Sequence, residues 1–175
     1  MDAGELLTRW SIRGALLFYV AALAAILLQR NRRFDSASSD SMARLLWTLG
    51  CLSYLFHVLG AFLFFHDLSH DAAYRDTARQ TKELLGWDWG GGLYFNYLFT
   101  AAWLADVLYW WLAPARRRAR PRVIGIALHA FLAFIALNAT VVFETGPIRW
   151  AGAAACAALA AIWWAGRRRR LRIAY

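Results

Sequence analysis

Five stretches of the chain are almost continuously apolar, and the charged residues fall between them instead of along one face. The stretches run from Gly14 to Leu28, Ala43 to Phe65, Gly91 to Ala113, Val123 to Phe143 and Ile148 to Gly166. A helix needs roughly 20 apolar residues to cross a bilayer, so the pattern predicts five transmembrane spans. The first is short unless Trp10 to Arg13 joins it, with Arg13 snorkelling to the interface. Backbone groups in lipid must be satisfied within each segment, which predicts an all-α bundle, a polytopic integral membrane protein. No internal repeat and no Gly/Ser or Pro linker divides the sequence, so residues 1–175 read as one transmembrane domain.

Arginine then orients the chain. Arg30, Arg32, Arg33 and Arg44 form one cluster, Arg116 to Arg122 a second, and Arg167 to Arg172 a third. On a five-span reading all three share a face, and positive residues favour the cytoplasm, which predicts the N-terminus outside and the C-terminus inside. The basic run directly after the first span reads as the flank of a retained anchor, not as a signal-peptide cleavage region.

Composition agrees with this solvent assignment: 61% of residues are hydrophobic and 18% charged, against about 45–50% apolar in a soluble domain. The net charge of +9 comes from arginines at span ends, so it points to the bilayer and its anionic lipid head groups and not to nucleic acid. Nearly all the basic residues are arginine and the apolar runs are rich in alanine, a bacterial usage that predicts a bacterial cytoplasmic (inner) membrane. Cys51 and Cys156 both lie in apolar runs, which argues against a stapling disulfide or a thiolate zinc cluster.

Candidate chemistry concentrates in the segment 66–90, expected on the outer side between spans two and three. His66 and His70 stand four residues apart, each followed by an aspartate, Asp67 and Asp71. On a continuous helix both imidazoles would lie about 40° and about 6 Å apart, close enough to share a divalent metal. Ala72 to Leu84 suit a helix that the glycines of Gly86 to Gly92 should end, with Trp87 and Trp89 as interfacial anchors.

Within the spans, ionisable residues are candidate functional groups because lipid makes them expensive. His57 is expected in an outer-half cavity with Asn96 or Asn138, roofed by the His66 to Asp71 segment and Glu144. Asp106 and His129 are expected as a matched pair in the inner half. Haem ligation by His57 and His129 is disfavoured, because their levels differ by roughly 10 Å.

Three functions follow as expectations. One is a metal-dependent membrane enzyme acting on a lipid-like substrate, with His66 and His70 as ligands and His57, Asp67, Asp71 and Glu144 as catalytic candidates. A second is a non-catalytic subunit or assembly factor, in a larger complex or a homo-oligomer. The third is a component of a proton or ion pathway through His57, Asn138, Asp106 and His129.

Overall fold

The computed structural model describes residues 3–31, 37–142 and 146–173, and among them all regular structure is helical. The helices are α1 (Ala3–Asn31), α2 (Ala37–Phe65), α3 (His70–Leu85), α4 (Gly92–Leu112), α5 (Pro114–Ala119), α6 (Arg122–Leu137) and α7 (Pro147–Ile173), with a π-helical turn, Asn138–Val142, extending α6. Four stretches are long and apolar enough to cross a membrane: Ala3–Gln29, Asp40–Phe65, Arg122–Val142 and Pro147–Arg168. The first therefore begins well before Gly14 and includes Trp10 to Arg13. The 91–113 stretch folds as α4 but is not among those four, because Asn96, Asp106 and six Tyr and Trp dilute its aliphatic residues.

The long helices pack in a ring: α1 on α2, α2 on α4, α4 on α6, the π turn on α7, and α7 back on α1. Contacts along α1 and α2 fix them antiparallel. A side chain on Gly4 would strike the Phe64 ring, one on Gly60 would meet Thr8 and Leu7, and one on Gly50 would meet Trp103 and Phe18. Small residues here let the backbones approach, the usual device where no hydrophobic effect drives helices together. Gly60 is such a contact point within an unbroken α2.

The core lies between α1, α2, α4 and α6 and is aromatic. Tyr19, Trp47 and Trp103 stand with ring centroids 5.2–5.5 Å apart, within the range where offset and edge contacts are favourable. At the arginine end, guanidinium groups cover indoles: Arg44 over Trp111 at 4.1 Å and Arg117 over Trp110 at 3.5 Å. Arg167 and Arg168 stand near Trp163 and Trp164. The tryptophan pairs thus serve as seats for the arginines.

Candidate functional site

The expected metal site is divided by a turn. α2 stops at Phe65, and α3 starts afresh at His70, so His66 and His70 are not stacked one turn apart on a helix. The break has a local cause: Ser69 caps α3 by accepting from the Ala72 N–H at 3.2 Å, while Asp67 and Leu68 take left-handed φ values of 48° and 55°. The Leu68 N–H reaches back to the Phe62 carbonyl at 2.8 Å. His66 lies edge-on to Phe62. His70 is hydrogen-bonded through Nδ1 to the Tyr97 hydroxyl at 3.0 Å and ringed by Tyr74, Tyr94 and Tyr97. Asp67 and Asp71 are exposed. Among the described residues no group of three His, Cys, Asp or Glu could hold a metal ion. Glu144 lies outside the described residues.

The polar residues expected within the spans also take partners other than those predicted. His57 donates from Nδ1 to the Thr8 carbonyl at 3.0 Å, which fixes its tautomer and ties α2 to α1. Of the amides expected near it, Asn138 bonds within its own helix, Nδ2 donating to the Phe134 carbonyl at 2.8 Å, while the backbone carbonyl of Asn96 accepts from the Thr100 hydroxyl at 2.7 Å. His57 thus acts as a packing bond. Its replacement by leucine is expected to lower stability by about 1 kcal/mol, the scale of interhelical hydrogen bonds in membranes. Detergent unfolding of His57→Leu beside wild type measures it.

Asp106, expected beside His129, is clamped by two arginines. Arg120 Nη1 lies 2.7 Å from Oδ1 and Arg117 Nη2 3.3 Å from Oδ2, and the carboxylate is 1% exposed. His129 stands edge-on to Trp47, ring centroids 5.2 Å apart. Burial pushes the Arg117 guanidinium below its ordinary pKa, and the neighbouring Asp106 carboxylate opposes that shift. The clamp pins α5 and the start of α6 to α4.

The groove between α1, α6 and α7 was not foreseen. It measures about 570 Å³, within the usual range of ligand pockets. Leu16, Leu17, Val20 and Leu23 of α1 face Ala133 and Leu137 of α6 and Ala151, Ala155 and Leu159 of α7. Its wall includes Thr140 in the π turn, a distortion that recurs at functional sites. Arg13, Tyr19, Thr140 and Cys156 break the apolar lining. Arg13 stands at the start of the α1 wall, and Tyr19 lies six residues farther along. Tyr19 is 4% exposed, and its hydroxyl has no hydrogen-bond partner among the described residues. Thr140, by contrast, already donates to the Ala136 carbonyl at 2.8 Å. Buried polar groups are nearly always paired, so an orphan hydroxyl on a residue that lines the groove marks a place for an acceptor.

A sequence signal for the groove exists. Arg13, Leu16, Leu17, Val20 and Leu23 recur at spacings of three and four, one apolar stripe headed by a cation. No family model, curated protein or solved structure matches the chain, so function has to be argued from these sites.

Proposed function

We propose that the protein is a five-span membrane protein that binds an anionic amphiphile, with the tail in the α1/α6/α7 groove and the head on Arg13. The observation that carries this reading is the pairing of an apolar groove with a cation at the start of its α1 wall and an unpartnered buried hydroxyl on a lining residue. Arg13 and Tyr19 are six residues apart, about 9 Å of helix rise. The ligand is therefore a lipid-class molecule with an acceptor oxygen, such as an ester or ring carbonyl, a short way below its charged head. Arg13 stands near Trp10, its guanidinium carbon 5.1 Å from the ring, a common arrangement where a span meets head groups.

In this reading α4 is the fifth span. Its neighbours α2 and α6 both cross, and the charge of Asp106 is neutralised by Arg117 and Arg120. The arginine end faces the cytoplasm of a bacterial inner membrane, by the positive-inside rule, and the Arg13 end of the groove faces outward. The role is binding, as a lipid-dependent subunit or carrier, in place of metal chemistry at His66 and His70. His57 and Asp106, two members of the expected proton pathway, are already engaged by Thr8 and by arginines.

Thermal unfolding of delipidated protein tests the reading. A lysophospholipid with an anionic glycerol head is expected to raise the melting temperature saturably, and a choline head on the same chain to do so far less. Saturation at about 100 times Kd contributes about 2.7 kcal/mol, a shift of about 5–10 °C for a chain this size. Arg13→Gln should remove the preference. Equal shifts from both heads in wild type, unchanged by the substitution, would contradict it.

A further inference from the structure

Where α2 gives way to α3 a second recess of about 490 Å³ opens, and its chemistry differs from that of the groove. Phe65 supplies an apolar side; His66, Arg75 and Arg79 supply N–H donors. Arg75 and Arg79 are one helical turn apart on α3, so both guanidinium groups stand over the same face. His66 lines the same recess, just before the left-handed turn at Asp67 and Leu68. Imidazole carries at least one N–H in either protonation state.

One carboxylate, Asp76, lies on the recess wall among the described residues, and it is engaged by Arg79 and by Gln80 Nε2 at 3.0 Å. Arg79 is further shared with Glu83 at 4.0 Å. Arg75 has no ion-pair or hydrogen-bond partner among the described residues. The recess lining, Arg75 and Arg79 against Asp76, therefore carries one net positive charge. Its depth matters as well: on the proposed five-span arrangement Phe65 ends a span, which puts the recess near the level of lipid phosphates.

We infer that this recess is a second anion site, built to take a phosphate group carried by a lipid head or free in solution. Guanidinium forks match the spacing of phosphate oxygens and form charge-assisted hydrogen bonds to them. The site is separate from the groove, and it stands whether or not the groove binds an amphiphile.

The test uses full-length protein in phosphatidylcholine nanodiscs. Inorganic phosphate is titrated by calorimetry in one arm; in the other, discs doped with phosphatidic acid are assayed for lipid retained on extraction of the protein. Saturable binding of free phosphate, or selective retention of phosphatidic acid, is expected, weakened about tenfold by Arg75→Gln and partly restored by Arg75→Lys. The arm that responds identifies the source of the phosphate. Arg116→Gln, at the opposite end, should leave both signals unchanged, and the dependence on Arg75 should persist in an Arg13→Gln background, which separates this site from the groove. Binding in neither arm, or equal loss with Arg116→Gln, overturns the assignment.

Discussion

Asp106→Ala is expected to destabilise the protein by about 3–5 kcal/mol, the range for removing one partner of a buried ion pair. The carboxylate is 1% exposed and its two arginines only 14–15% exposed. Deleting it leaves two guanidinium groups largely out of water with like charge for company. Arg117→Gln should cost less, since Arg120 still holds Asp106 at 2.7 Å. The expected order is Asp106→Ala, then Asp106→Asn, then Arg117→Gln, read from unfolding in one detergent. Equal effects for all three would mean that the clamp does not act as a unit.

Gly90→Ala should detach α3 from α4. A methyl group on Gly90 would stand 2.4 Å from the Tyr74 carbonyl oxygen and 2.7 Å from its ring, and backbone cannot rotate aside as a side chain can. Overpacking of this kind costs about 1–3 kcal/mol. The loss should be local: amide exchange across His70–Leu85 accelerates while α1 and α2 stay protected. Gly86→Ala gives the contrast. Gly86 has φ 77° with nothing within 4 Å of an added methyl, so it should show only the strain of a left-handed alanine, about 1–2 kcal/mol. Indistinguishable exchange in Gly90→Ala and wild type would refute the close contact.

Much of the architecture was legible because such apolar runs leave the chain few choices. Long apolar runs had to be helices, and the glycine after Leu85 had to stop α3, as its αL conformation and bond to the Lys82 carbonyl at 2.9 Å show. The 91–113 run was legible as a helix, but its aromatic and polar content leaves it less apolar than the other four. Partners were harder to read, since they depend on rotation and not on depth. Depth alone brings Asp106 to His129, whereas Pro114 and Pro121 fold the connecting arginines back over α4. The His-x-x-x-His reading failed at Ser69, a capping residue placed between the two histidines. Periodicity along α1 could have revealed the groove. Its other walls come from α6 and α7, more than a hundred residues away.

The central claim is that the groove holds one anionic amphiphile, and native mass spectrometry of protein released gently from membranes tests it most directly. Wild type is compared with Arg13→Gln and with Ala155→Trp, which fills the groove from the α7 side. The account predicts a single lipid-mass adduct on wild type, a diminished one on Arg13→Gln and none on Ala155→Trp. The same adduct on all three, or no retained lipid on wild type, would contradict it.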